Sequence, residues 1–244
     1  MRRAKLIAQG QSGDLGEYDP LVQRYAARDL PILEAGCGLS QVVAALVRRG
    51  FTVTGVDYDR EVVRFVNQSF PDLDVRFGDV TALEIEDATI GLYMSLGVVE
   101  HFPEGPSGAL REARRVLHPR GFALISVPYL NRARRAYLDY AGRVRIPEQP
   151  GVQFYQYYFS AEEFESLLNA AQLSVVERTP LFVEPHLLRE HPAFVRYWRS
   201  PLCRHRMREP IRRVLRRAPR WMLERYGHMM MYVCRPAAIE SGAL

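Results

Sequence analysis

The stretch LPILEAGCGLSQVVAALVRRGFTVTGVD, Leu30 to Asp57, decides the fold. A short apolar run ends in Glu34-Ala35-Gly36-Cys37-Gly38, a helix-forming segment follows, and a second apolar run ends in Asp57. Strand, glycine turn, helix and strand in that order make a β-α-β unit. The two glycines stand where strand becomes helix. Without a Cβ they permit a tight turn and let a ligand lie directly on the main chain. The helix beyond them offers unpaired N–H groups. Asp57, at the tip of the second strand, is placed to accept hydrogen bonds from ribose hydroxyls. The unit reads as one that binds a nucleoside.

Which nucleoside follows from the departure from G-x-G-x-x-G. Gln41 replaces the third glycine, and the string is E-x-G-x-G-x-S, with Ser40 where a glycine is commoner. A pyrophosphate wants an uncrowded approach to the helix start, which this loop suits less. These residues resemble the first motif of class I S-adenosylmethionine-dependent methyltransferases, (D/E)-x-G-x-G-x-G. The resemblance implies S-adenosyl-L-methionine as cofactor, with Glu34, Gly36, Cys37 and Gly38 around it and Asp57 and Tyr58 at its ribose. Taken alone, the stretch also fits a tight turn with no ligand, and an NAD(P)-binding oxidoreductase would use the same unit.

The rest of the chain repeats the alternation. Leu15 to Arg28 reads as an amphipathic helix with Leu21, Val22 and Tyr25 on one side. In the resembled family a helix here lies over the cofactor, and Tyr18 is the aromatic that would close the methionine end; packing is its alternative role. Ser40 to Arg49 is predicted helical and stopped by Gly50, and Phe51 to Val56 is the second strand. Asp59 caps a helix reaching Phe70, ended by Pro71. A third strand ends in Gly78-Asp79-Val80. By the resemblance Asp79 takes the adenine amino group and Val80 packs on the ring. Ala88 to Leu96 is the fourth strand, and Ser95, Leu96 and Gly97 would face the methionine portion. Pro106 to Gly121 reads as a helix ended by Pro119, followed by a fifth strand, FALISVP. Five such repeats require a parallel sheet covered on both faces.

Beyond Pro128 the alternation stops. Residues 129–156 and 180–227 read as inserted helical lid segments of a single domain spanning 1–244. Between them Ser160 and Glu163 form a capping box opening a helix, and Leu173 starts a sixth strand. Gln172 stands where a glycine usually follows such a helix. His228 to Pro236 is a last apolar strand. The fold class is therefore α/β: a Rossmann-like, doubly wound, seven-stranded, mostly parallel sheet whose last strand, by the resemblance, runs antiparallel between the fifth and sixth.

Composition sets limits. The 244 residues are 48% hydrophobic and 25% charged, and no apolar run approaches the roughly 20 residues of a spanning helix. MRRAKLIA at the start has too short an apolar part for a signal core, which suggests a cytoplasmic protein. Cys37, Cys203 and Cys234 are widely spaced and without a C-x-x-C pair, which argues against a disulfide framework and a zinc site. The net charge of +5 is uneven: from Pro201 onward ten arginines face Glu209, Glu224 and Glu240.

Methyl transfer needs alignment above all, which can supply roughly 7 to 11 kcal/mol of a barrier. A base is needed only when the acceptor must lose a proton. His101 is the titratable group best placed to be that base, with a structural role as its alternative. Tyr157, beside Tyr155, Tyr158 and Tyr129, would stand at the acceptor end. His186 and His191, five apart, do not share a helical face, so EPHLLREH predicts no metal site. Arg204 to Arg225 alternates arginines with apolar residues, broken near Pro219. It suits a solvated basic face with a buried apolar stripe, or peripheral contact of 204–225 with an anionic membrane. No amino-methyltransferase or Pro-Cys motif appears, which argues against nucleic acid. The reading is a methyltransferase acting on a small-molecule or lipid-linked acceptor, at oxygen. A non-catalytic cofactor-binding scaffold or regulator is the other class it leaves.

Overall fold

The computed structural model describes residues 13–143, 153–200, 205–215 and 217–237. In chain order the elements are α1 (Asp19–Tyr25), β1 (Ile32–Ala35), α2 (Gln41–Arg48), β2 (Val53–Asp57), α3 (Arg60–Ser69), β3 (Asp74–Phe77) and β4 (Ile90–Leu96). There follow α4 (Ser107–Val116), β5 (Leu117–Pro128), α5 (Arg132–Arg143), α6 (Ala161–Ala170) and β6 (Leu173–Leu181). Last come α7 (Val183–Arg189), α8 (Pro192–Arg199), α9 (His205–Leu215), α10 (Arg220–Tyr226) and β7 (Met229–Pro236). The strands form one sheet in the order β3-β2-β1-β4-β5-β7-β6. The first five pair in parallel, and β7 runs antiparallel between β5 and β6. The seven-stranded, doubly wound arrangement expected from the sequence is the one present.

Helices cover both faces because alternate strand residues are apolar on both. On one face Val43 and Leu46 of α2 and Val66 of α3 are buried against Ile32, Met94 and Leu124. On the other, Leu110 of α4 and Phe164 and Leu168 of α6 meet Tyr93, Ile125 and Tyr232. Each such side chain contributes about 1.5 to 3 kcal/mol on leaving water. The predicted caps form. Asp59 accepts from the N–H groups of Glu61 and Val62, and Ser160 and Glu163 make the reciprocal pair of a capping box. No described helix is long and apolar enough to cross a membrane.

Three boundaries differ from the sequence reading, the first being the helix expected over Leu15 to Arg28, which is α1 alone, Asp19–Tyr25, after a 3₁₀ turn at Gly16–Tyr18. The helix expected to reach Pro119 stops at Val116, and Leu117 already pairs with Ile90. Pro119 bars its predecessor from helical conformation, so the chain turns extended early. Proline is tolerated in β5 because the ladder to β4 is irregular between Ile90 and Leu92. Gly121 sits there because a Cβ would lie 2.7 Å from the carbonyl oxygen of Ile90. At the other end β6 retains Pro180 and Leu181, paired with Met230 and Met229, so the second excursion leaves the sheet at Phe182.

The excursions are joined by ions. Arg134 of α5 forks onto Glu190 after α7, Nε to Oε2 at 2.6 Å and a terminal nitrogen to Oε1 at 2.5 Å. His186 Nδ1 stands 3.1 Å from Oε2 and His228 Nδ1 3.0 Å from Oε1. Burial pushes the Glu190 carboxyl up, but the bonds from Arg134, His186 and His228 outweigh it and hold it well below the usual range. EPHLLREH thus supplies an ionic knot between the lid and the start of β7. Val183, Leu187 and Leu215 form a small core of their own, on which Ile211, Met222 and Tyr226 pack.

Gln172 holds φ at +58°, a left-handed conformation that costs a residue with a Cβ about 1 to 2 kcal/mol. The unfolded chain's gain in freedom returns part of this on substitution by glycine. Gln172→Gly is expected to stabilise the protein by about 0.5 to 1 kcal/mol, raising Tm by a few degrees in a thermal melt. A lowered Tm contradicts the strain.

Candidate cofactor site

Strand order reverses between β1 and β4, and a crevice outside the carboxyl ends of strands at such a point is where α/β sheets take ligands. A cavity of about 580 Å³ lies there. Gly36 borders it from β1, Asp57 and Tyr58 from β2, Asp79 and Val80 beyond β3, and Gly97 and His101 beyond β4. Residues the sequence placed on four separate strand ends are thereby brought to one hollow. Its volume falls within the range of roughly 300 to 1,000 Å³ usual for small-molecule sites.

The loop that floors it is fastened by Asp57. Oδ2 accepts from the Gly38 N–H at 2.7 Å, and Oδ1 accepts from the Asp59 N–H at 3.0 Å. A carboxylate has about four lone-pair sites, so two remain for ribose hydroxyls. Gly36 has φ +82°, and a Cβ there would stand 2.4 Å from Val98 Cγ2, so glycine is required twice over. Ser40, where the resembled motif carries glycine, holds φ +56° in the same turn. Asp79 uses Oδ1 for the N–H and hydroxyl of Thr81, both at 2.8 Å, leaving Oδ2 for an adenine amino group.

Other candidates lie beside or beneath the cavity rather than on its wall. Glu34 is buried and accepts from the Val43 N–H at 3.1 Å, bracing α2; burial pushes its carboxyl up to about 8 against that bond. Cys37 is buried, its thiol pushed up to about 12, first by burial, with Ser40 Oγ 3.4 Å away. Leu96 packs into the core at the end of β4. Tyr18 packs edge-on to Phe182, ring centres 5.5 Å apart, and burial raises its phenol. Its ring therefore closes against the lid. Tyr157, read as catalytic, donates its hydroxyl to the Pro103 carbonyl at 2.6 Å. That bond holds the segment after the lid onto the turn after β4.

Sequence reading passed over Glu100. It is 2% exposed, and burial pushes its carboxyl up to about 7, against a backbone hydrogen bond and the charge of His101. Its Oε2 and Ser95 Oγ are buried without a partner among the described residues at the carboxyl end of β4. Unsatisfied buried atoms cost about 1 to 3 kcal/mol each, a cost a polar ligand end would relieve. The signal available in the sequence was a charged residue next to His101.

His101 has a defined tautomer. Its Nδ1 lies 2.8 Å from the Tyr155 carbonyl oxygen, which only accepts, so in the neutral ring Nδ1 carries the hydrogen. Nε2 is left with a lone pair, 3.9 Å from Glu100 Oε1.

Comparison with known proteins agrees with this geometry. Residues 33–125 match the family described as a methyltransferase domain. A probable S-adenosylmethionine-dependent methyltransferase of Mycobacterium tuberculosis is 31% identical over 173 residues, 70% of this chain and 57% of that protein. A ubiquinone biosynthesis O-methyltransferase of Alkalilimnicola ehrlichii is 28% identical over 53% of this chain and 56% of its own. The chain spans about half the length of the curated relatives it matches. Among solved structures, an S-adenosylmethionine-dependent methyltransferase of Methanosarcina mazei superposes with TM-score 0.63 at 15% identity, over 89% of this chain and 97% of that one.

Asp57→Ala removes both ribose acceptors and the anchor of the glycine loop. It is expected to weaken S-adenosylhomocysteine binding by about 1.5 to 3 kcal/mol, roughly 10- to 150-fold in Kd by calorimetry. Unchanged affinity contradicts the role given to Asp57. Residues 33–125 resemble a methyltransferase domain, and the strand order and the cavity at its switch point agree with that likeness.

Proposed function

We propose that this chain methylates a hydroxyl oxygen of a small-molecule or lipid-linked acceptor. The observation that carries the reading is the bare Nε2 of His101 at the edge of the cofactor cavity, its ring held by the Tyr155 carbonyl. When bound, S-adenosylmethionine supplies a methyl group activated on a sulfonium. The chain's part is to align the acceptor oxygen with that methyl and to remove its proton. His101 Nε2 would take the proton that the acceptor hydroxyl loses as its oxygen accepts the methyl, which the cofactor would supply in becoming S-adenosylhomocysteine. The Glu100 carboxylate, 3.9 Å away, stabilises the imidazolium that results. The likeness to ubiquinone O-methyltransferases supports an oxygen acceptor.

The basic segment enters as a solvated face. Ile211, Leu215 and Met222 turn inward onto Val183 and Leu187, which takes up the apolar stripe, while Arg213, Arg217 and Arg220 are exposed. Beside them Val214 and Trp221 are exposed, and through these a lipid-linked acceptor would be met at an anionic surface. A cytoplasmic setting suits the free thiols of Cys37 and Cys234.

His101→Gln is expected to lower kcat by about 10²- to 10⁴-fold on a hydroxylated acceptor found by screening for S-adenosylhomocysteine release, with unchanged S-adenosylhomocysteine affinity. In the wild type, activity should rise with pH through about 7, as the raised Glu100 carboxyl ionises beside His101. That limb should vanish in the variant. A loss under tenfold removes His101 as the base.

A further inference from the structure

A second cavity, of about 390 Å³, lies in the lid and shares no lining residue with the first. Leu130, Ala133, Leu138 and the rings of Tyr137 and Tyr158 make its apolar walls, and Arg134, His186, Glu190 and His191 make its polar side. Apolar walls with a few placed polar groups are the build of a small-molecule site.

The polar end has a definite chemistry. Glu190 is held ionised by Arg134 and so has no proton to give. The His186 nitrogen 3.1 Å from it, Nδ1, must therefore be the donor in the neutral ring. The Asn131 amide donates to the Gly227 carbonyl at 2.8 Å and stands farther from the same nitrogen, at 3.5 Å, than Glu190 does. Nε2 of His186 is then a lone-pair acceptor with no partner among the described residues, on a side chain only 4% exposed. It is the feature of this cavity that a bound hydroxyl would satisfy.

The two cavities are joined by one short stretch of chain. Tyr155 packs on His101 with ring centres 5.1 Å apart, and Tyr158 borders the lid cavity. Three residues of chain span at most about 11 Å. Tyr157 N–H donates to the Glu100 carbonyl and Phe159 N–H to that of Pro128, so this segment is fixed along its length.

We propose that the lid cavity seats the apolar body of the acceptor, a neutral aryl or alicyclic ring system bearing a hydroxyl that donates to His186 Nε2. The ligand's role as acceptor rests on the methyl-transfer reading; the cavity's preference for a neutral hydroxylated ring does not.

The test titrates 2-naphthol into the full chain, with and without saturating S-adenosylhomocysteine, by calorimetry. Binding should persist with S-adenosylhomocysteine present. It should fall tenfold or more in Ala133→Trp, which fills the cavity from the half-buried side of α5, and in Tyr158→Ala. Both variants should keep wild-type S-adenosylhomocysteine affinity, which certifies their folding. The methyl ether, 2-methoxynaphthalene, should bind about three- to tenfold more weakly for want of its donor. No binding, displacement by S-adenosylhomocysteine, or equal binding in both folded variants overturns the assignment. If 2-naphthol behaves as stated and S-adenosylhomocysteine does not bind, the methyl-transfer reading falls and the cavity assignment stands.

Discussion

One carboxylate holds the site in shape. Asp57 reaches from the end of β2 to the Gly38 N–H on the loop after β1, and to the Asp59 N–H at the start of α3. Three consecutive pieces of the chain are thereby fixed around one pair of oxygens. The loop they secure contains two left-handed glycines and a left-handed serine, a conformation an unsupported chain would leave. Because the strands on either side are buried and parallel, their register is set, and the loop inherits it. The hollow over β1 to β4 is therefore a consequence of packing and one anchor. Its walls then supply the chemistry: acceptors at Asp57 and Asp79, an open backbone at Gly36, and buried polar atoms of Ser95 and Glu100 at the end of β4.

The lid depends on a different force. Its helices α7, α9 and α10 share a small apolar core, and what ties α5 and the residue before β7 to them is the Glu190 carboxylate with Arg134, His186 and His228. Such a cluster, partly shielded from water, holds only when every partner is present, because a lone buried charge is costly. It links the exit of β5, the helix after β6 and the entry to β7. These are the three places where chain leaves or rejoins the sheet next to the cavity. The same knot fixes the tautomer of His186, so the lid's stability and the polarity of its cavity come from one set of bonds.

What could be read in the sequence was what is local. Apolar alternation, the Asp59 cap, the Ser160–Glu163 box and the glycine turn each depend on neighbours within a few residues, and they gave the sheet, its helices and the strand ends that meet at the cavity. Ser40 and Gln172 were legible as exceptions, since each stands where glycine is expected and each is left-handed. The Val116 helix end was not, because Pro119 acts on its predecessor and on strand pairing to Ile90 at once. The partners of Tyr18 and Tyr157, Phe182 and the Pro103 carbonyl, lie far along the chain and leave no local pattern. The ionic knot joins residues 56 and 94 positions apart, a separation that leaves no local pattern.

The central claim is that the hollow over β1 to β4 receives an adenosine attached to sulfur. A crystal structure of the chain with S-adenosylhomocysteine tests it most directly. The account predicts both ribose hydroxyls within hydrogen-bonding distance of the Asp57 carboxylate, the adenine amino group at Asp79 Oδ2 and the ring against Val80. Density for the nucleoside in any other place, or a hollow that stays filled by the protein's own side chains at saturating ligand, contradicts it.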